Sequence, residues 1–226
     1  MIKCDLHIHS KYSFDSLANP GKIVDLALKR GIRCIAIADH GNIRGSLEAA
    51  AYARENSLPI LIIISEEVKS KSGDILGLNI KEPIPDHIPA QNAIDRIHAQ
   101  GGIAVAAHPF GLWCGFKDNL ENYAHQLDGV EIINASVFAG NKPAENFAQK
   151  HNLAFTAGSD AHFTNHFIGK TWLELPLDYS PDLTAAQIIN AIKQKKGKTG
   201  GKMASFLEKA LDHPFRSLTK LKTLIK

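Results

Sequence analysis

Short apolar runs in this chain end, again and again, on side chains able to bind a metal, and that regularity limits the folds open to it. Residues 2–6 lead into His7 and His9, residues 34–38 into Asp39 and His40, and residues 60–64 into Glu66 and Glu67. Residues 103–107 precede His108, and residues 153–157 precede Gly158, Ser159, Asp160, Ala161 and His162. A strand holds a ligand rigidly at its end while the loop beyond leaves the position open. Ligand-type residues that repeatedly follow strands therefore point to a site at the carboxyl rim of a barrel of parallel strands. An open doubly wound sheet binds ligands at one crevice where strand order reverses. Polar groups after so many strands favour a closed or nearly closed ring of seven or eight.

Helical segments alternate with these runs. Asn19 and Pro20 supply a cap and a first helical position for a helix reaching Arg30, with Gly31 as its terminator. Further helices are predicted over 44–56, 90–100, 118–126, 142–151 and 184–195, and further strands over 129–133 and 171–175. The alternation favours right-handed βαβ units, and an uninterrupted apolar strand such as 61–64 suits a sheet covered on both faces. Residues 73–78 read as a strand with no helix before it, so the ring is expected to be irregular there.

With 226 residues, 44% of them hydrophobic, the chain can bury a sizeable core as one domain. The expected division is a barrel over 1–200 and a helical extension over 201–226 packed on it. Residues 193–226 hold ten Lys or Arg against two acidic residues, which leaves the remainder net negative. Leu207, Leu211, Phe215, Leu218 and Leu221 recur there at helical spacing, so a docked amphipathic helix with a solvated lysine face is preferred to a nucleic-acid patch. No apolar stretch approaches the roughly 20 residues that span a bilayer. The first residues meet a charge too early for a secretory signal, and a cytoplasmic protein without a membrane partner is expected. Cys4, Cys34 and Cys114 show no C-x-x-C spacing and suggest neither a disulfide framework nor a thiolate zinc site.

His7 and His9 share one face of an extended strand, because side chains alternate with period two. Asp160 and His162 repeat the spacing on another strand. Alone, each pair is a weak signal. Together, Asp5-Leu6-His7-Ile8-His9-Ser10 with Asp15 beyond, Ala38-Asp39-His40, Glu66-Glu67-Val68, Ala107-His108-Pro109 and Gly158-Ser159-Asp160-Ala161-His162 resemble the PHP family, named for polymerase and histidinol phosphatase. The resemblance spans 5–162 and implies an α/β fold, a distorted (β/α)7 TIM-like barrel, in a metal-dependent phosphoesterase. It also implies two to three divalent ions. His7, His9, Glu67 and Asp160 would hold the first, Glu67 would bridge to a second that also uses His108, and Asp15, His40 and His162 would hold the third. Asp74 stands where many relatives offer a histidine to the second ion and is its candidate ligand here. The loop 110–115 lacks the arginine that some relatives use to grip phosphate.

Imidazole and carboxylate ligands suit zinc, manganese or iron. Such ions a few Å apart bridge a hydroxide and clamp phosphoryl oxygens. The expected reaction is hydrolysis of a small phosphomonoester or nucleotide by attack of a metal-bridging hydroxide, with Glu67, Asp160 and His40 as catalytic residues. Glu66 rivals Glu67 for the bridging position, but only one of two adjacent strand residues faces inward. His166, four residues past His162, is the candidate proton donor to the leaving oxygen. Arg44 either binds substrate phosphate or faces solvent, and Asn134 either orients a ligand or forms a turn. Asp5 and Asp39 read as orienting partners of the neighbouring imidazoles. Trp113 and Phe116 cover the rim or stack on a ring. His87, His98, His125, His151 and His213 read as surface residues.

Three alternatives remain open. One is a nuclease acting on nucleic-acid ends. Another is an amidohydrolase-type C–N hydrolase, which commonly needs a bridging lysine where Glu67 stands. The last is a metal-stabilised interaction module whose basic tail contacts nucleic acid.

Overall fold

A computed structural model describes residues 1–162, 167–205 and 208–209. The chain runs β1 (Ile2–Ile8), α1 (Pro20–Lys29), β2 (Cys34–Ile37), α2 (Arg44–Glu55), β3 (Leu61–Lys69), β4 (Asp74–Leu78), α3 (Ala90–Ala99) and β5 (Ile103–Ala106). It continues through β6 (Gly129–Asn134), α4 (Asn141–Lys150), β7 (Ala154–Gly158), β8 (Thr171–Leu175), α5 (Ala185–Lys193) and β9 (Lys198–Gly201). The strands form one sheet in the order β7-β6-β5-β4-β3-β2-β1-β8-β9. Strand β4 lies antiparallel between β3 and β5, which is the irregularity expected near residues 73–78.

The sheet curls until β7 meets β1. The segment after β7 bridges Ile8 to Ala161 in parallel, with Asp160 N–H donating to the His7 carbonyl at 2.7 Å and His9 N–H to the Ala161 carbonyl at 2.9 Å. The lower half of β1 pairs instead with β8, from Ile2–Leu175 to Cys4–Leu173. The fold is thus an α/β single domain around a nearly closed, seven-strand distorted barrel, with β8 and β9 appended.

Two of these features depart from expectation. Strand β9 extends the sheet beyond the expected seven or eight strands, and its sequence, Lys-Thr-Gly-Gly, carries no apolar signal; backbone pairing with β8 makes it a strand. The helix predicted over 118–126 is a single 3-10 turn, Leu120–Asn122. Asn119 caps it by accepting from Glu121 N–H at 3.1 Å, a local bond that competes with helix propagation. Of the extension over 201–226, residues 206–207 and 210–226 lie outside the described residues. Among those described, no helix is long and apolar enough to cross a membrane.

Helices α1 and α2 cover one side of the sheet through Ile23, Val24, Ala27, Ala49 and Ala53, which pack on Ile35 and Ile37 of β2. The alternate β2 residues, Cys34 and Ala36, pack inward with Cys4, Leu6, Leu76 and Val105. On β1 that alternation breaks. Cys4 and Leu6 pack with the inner cluster, yet Ile8 packs with the helices. A register shift between Asp5 and Ile8 inserts one extra residue relative to β2. Such a bulge reverses which residues face inward, and so His7 and His9 turn toward the centre at the rim. A second bulge, between Glu131 and Ile133 on β6, sets both Ile132 and Ile133 against the outer cluster and re-aims Asn134 beyond them, while Glu131, before the bulge, faces inward by plain alternation with Val130 and Ile132.

Candidate metal centre

The strand ends deliver their side chains to one buried spot. His7 Nε2 and His9 Nε2 lie 3.1 Å apart, and Glu67 Oε2 is 3.2 Å from each. Asp160 Oδ1 is 3.7 Å from His7 Nε2, 3.4 Å from His9 Nε2 and 3.4 Å from His162 Nδ1. Asp15 Oδ2 sits 3.2 Å from His162 Nε2 and 3.7 Å from His40 Nε2, which is itself 3.4 Å from Glu67 Oε2. The other Glu67 oxygen, Oε1, faces His108 Nε2 at 3.0 Å, in a group that includes Asp74. Glu67 therefore spans two ligand groups. Glu66 turns to the opposite face, where its carboxylate accepts from Ile84 N–H at 2.8 Å.

Three imidazoles have their outer nitrogens occupied. His40 Nδ1 is 3.0 Å from the Glu67 carbonyl and His162 Nδ1 is 3.0 Å from the Asp160 carbonyl. His7 Nδ1 meets Glu131 Oε1 at 3.1 Å. Each Nδ1–H donates outward, which leaves the Nε2 lone pair aimed into the cluster. His7 Nε2 and His9 Nε2, 3.1 Å apart with a carboxylate oxygen beside both, and the buried His9 Nδ1, which has no hydrogen-bond partner among the described residues, form a packing that a cation held between the side chains would satisfy. Mixed imidazole and carboxylate donors fit a divalent transition ion, so the residues present fit the implied metals.

The electrostatics are those of a cation trap. Burial alone pushes the His9 imidazole down, but Asp160, Glu67 and Asp15 reverse this and raise it to about 9. His7, likewise buried, ends well above its ordinary value because Glu67, Glu131 and Asp160 outweigh desolvation. Burial holds His40 down at about 3, a neutral imidazole. Burial works against the Glu67 carboxylate, yet His7, His40 and His108 hold it well below the usual range. Asp74 is raised to about 6 by burial and the Glu67 charge.

Backbone strain accompanies two of the candidate ligands. His108 has φ 28° and Asp160 φ 51°, in the left-handed region that side chains other than glycine rarely adopt. Both are pinned: His108 N–H donates to Glu131 Oε2 at 2.9 Å and Asp160 N–H to the His7 carbonyl.

Glu131 is the functional residue that reading the sequence misses. It is fully buried and holds His7 with one oxygen and the His108 backbone with the other. Its signal was a lone carboxylate inside the apolar strand Val130-Glu131-Ile132-Ile133. Asn134 donates to Glu131 Oε2 at 2.9 Å and accepts from Ser136 N–H and Val137 N–H, so its side chain serves the turn and the carboxylate rather than an open substrate position. Replacing Glu131 with Gln is expected to weaken metal affinity by about 10- to 100-fold while leaving the fold intact, measured by metal titration against the unfolding midpoint.

Other expectations are corrected by the geometry. Asp5 accepts from Ser159 N–H (2.8 Å) and Gly169 N–H (2.7 Å), and Asp39 from Ser10 N–H and Ser10 Oγ (2.6 Å each). They brace loops; the imidazole partners are Glu131 and two backbone carbonyls. Arg44 is exposed, with its guanidinium 4.6 Å from the centroid of the Tyr12 ring, and it does not line the cavity over the cluster. His166 lies outside the described residues. His87 is exposed, as expected of a surface residue, and also lines the cavity over the cluster.

That cavity measures about 490 Å³ and opens over Asp15, His40, Glu67, His108, Asp160 and His162. Its outer wall includes Leu112, Trp113 and Phe138, with Trp113 77% exposed and its ring 5.5 Å from Phe138. Phe116, by contrast, packs on the core.

Among known proteins, the chain is 37% identical over 145 residues to the uncharacterized protein MJ1587 of Methanocaldococcus jannaschii, covering 59% of this chain and 82% of that one. It is 28% identical over 147 residues to a 3′,5′-nucleoside bisphosphate phosphatase of Chromobacterium violaceum, covering 62% of this chain and 48% of that one. The fold matches a crystal structure of a two-domain protein from Bacteroides vulgatus containing a predicted PHP-like metal-dependent phosphoesterase. The TM-score is 0.74 and the identity 18%, over 95% of this chain and 68% of that one. The PHP domain model matches residues 5–195, which takes in every strand-end ligand described above, and the chain belongs to the PHP domain family.

Proposed function

We propose that this protein is a metal-dependent phosphatase that hydrolyses a small phosphomonoester, with a nucleotide as the favoured substrate. The observation that carries this reading is Glu67, whose two oxygens face different ligand groups at the floor of an open cavity. His7, His9 and Asp160 complete one group, His108 and Asp74 accompany Glu67 in another, and Asp15, His40 and His162 stand beside them. Bound there, divalent ions would activate a water and neutralise phosphoryl oxygens as charge builds on the leaving group.

The chain's own residues orient and exclude. Glu131 and the two backbone carbonyls fix the imidazoles, and the burial of His7, His9 and Glu67 keeps bulk water from the floor. A cavity of this size accepts a compact ester, and the exposed indole of Trp113 offers a face on which a base can stack. The bisphosphate phosphatase among its relatives supports a nucleotide.

The test is a panel of nucleoside monophosphates, sugar phosphates, short oligonucleotides and cyclic amides, run before chelation, after it, and after return of manganese, zinc or iron. Hydrolysis of monophosphates is expected to vanish on chelation and return with metal. Undiminished hydrolysis after complete metal removal would sink the proposal. Preference for oligonucleotides or cyclic amides would move the assignment to a nuclease or a C–N hydrolase.

A further inference from the structure

The cavity has charged groups that cation binding leaves over. Asp15, Glu67, Asp74 and Asp160 line it, and each belongs to a group able to hold a metal. Lys69 and Lys117 line it as well, from distant parts of the sequence. With the carboxylates neutralised by divalent ions, the ammonium groups become surplus positive charge on the cavity wall, which attracts anions.

A specific contact brings the two lysines to the same side. Lys69 ends β3. The loop after β5 folds over the β3–β4 turn, where Lys117 N–H donates to the Ser72 carbonyl at 2.7 Å. The Phe116 ring occupies the space that a side chain at Gly73 would need, 2.4 Å from where its Cβ would stand. Ser72 Oγ donates to Asp118 Oδ2 at 2.5 Å and closes the contact. The backbone of Lys69 is fixed too, its N–H donating to Asp86 Oδ1 at 2.8 Å and its carbonyl accepting from His87 N–H at 2.6 Å.

The Lys69 ammonium stands 3.8 Å from Asp74 Oδ2, close enough to be held by charge yet too far for a hydrogen bond. Its donors remain available to a ligand. The wall supplies the cations that loop 110–115, without an arginine, does not.

We propose that Lys69 and Lys117 form a second anion subsite beside the metal-holding groups, taking a further phosphate of the substrate while the scissile phosphoryl lies over Glu67 and Asp160. The proposal rests on the phosphomonoester reading of the cavity and narrows it to substrates with two phosphate groups. Lys117 is the cleaner probe, because Lys69 also neighbours the candidate ligand Asp74.

The experiment compares metal-loaded wild type, Lys117→Met, Lys117→Arg and Lys69→Met. It reads the ratio of kcat/KM for a nucleoside 3′,5′-bisphosphate to that for the matching monophosphate, and the ratio of inhibition constants of inorganic phosphate and pyrophosphate. Metal content and unfolding midpoint are measured on the same samples. Lys117→Met is expected to lower both ratios about 10-fold, the effect of losing one hydrogen bond to a charged group, and Lys117→Arg to restore them. Unchanged ratios in Lys117→Met would overturn the subsite. Should wild type hydrolyse no phosphomonoester, the phosphatase reading fails instead, and calorimetric binding of pyrophosphate against phosphate still decides whether the lysines grip a second anion.

Discussion

Glu67→Gln is expected to lower phosphomonoester hydrolysis about 10³-fold and to remove most of the bound metal, because one substitution strips a charged ligand from two groups at once. Stabilisation by metal ions amounts to several kcal/mol, and each 1.36 kcal/mol is about tenfold in rate. Gln keeps the shape but replaces a carboxylate that His7, His40 and His108 hold well below its usual range, so the change deletes a full negative charge. Glu66→Gln is the matched control. Burial raises the Glu66 carboxyl to about 8, so it is largely neutral at pH 7, and its amide replacement is close to isoelectronic. Elemental analysis and kcat/KM on both variants check the contrast; equal losses in the two would mean that the floor of the cavity is not organised by Glu67.

Gly158→Ala is expected to be the most damaging of the small substitutions, costing on the order of 3 kcal/mol or preventing folding. A Cβ there would lie 2.2 Å from His7 Cβ, 2.8 Å from Glu131 Oε1 and 2.8 Å from His7 N. None of these atoms ends a flexible side chain that can swing aside. His7 is held at its backbone by the closure of the barrel, and Glu131 is bonded to His7 and His108. Gly31→Ala, where the added methyl meets nothing within 4 Å, carries only the backbone penalty of φ +74°, roughly 1–2 kcal/mol. Denaturant unfolding of both variants with and without metal measures the difference. A Gly158→Ala protein as stable as wild type and still binding metal would contradict the crowding described at the rim.

Much of this arrangement was legible in the chain. The runs before His7, His40, Glu67, His108 and Asp160 are strands, and the residues after them meet, because a parallel ring brings strand ends together whatever their separation in sequence. Strict alternation places His7 and His9 on one face but does not say which. A bulge that period-two reasoning cannot see turns them inward, away from the side occupied by Ile8. Glu131 was passed over for a different reason: a lone carboxylate amid Val130, Ile132 and Ile133 follows no metal-binding pattern, and its role depends on contacts with β1 and the end of β5. Strand β9, Lys-Thr-Gly-Gly, exists only because β8 offers it an edge. Lys69 and Lys117 share a wall through a loop crossing that no local pattern encodes.

The seam that shuts the cylinder is stitched by the amides of Asp160 and His9, whose side chains also meet over the cluster. Folding and metal loading thereby draw on one set of bonds, and occupancy of the centre adds its binding free energy to the join that closes the wall. Scarcity of the ion would cost this protein its grip on its own shape as well as its turnover.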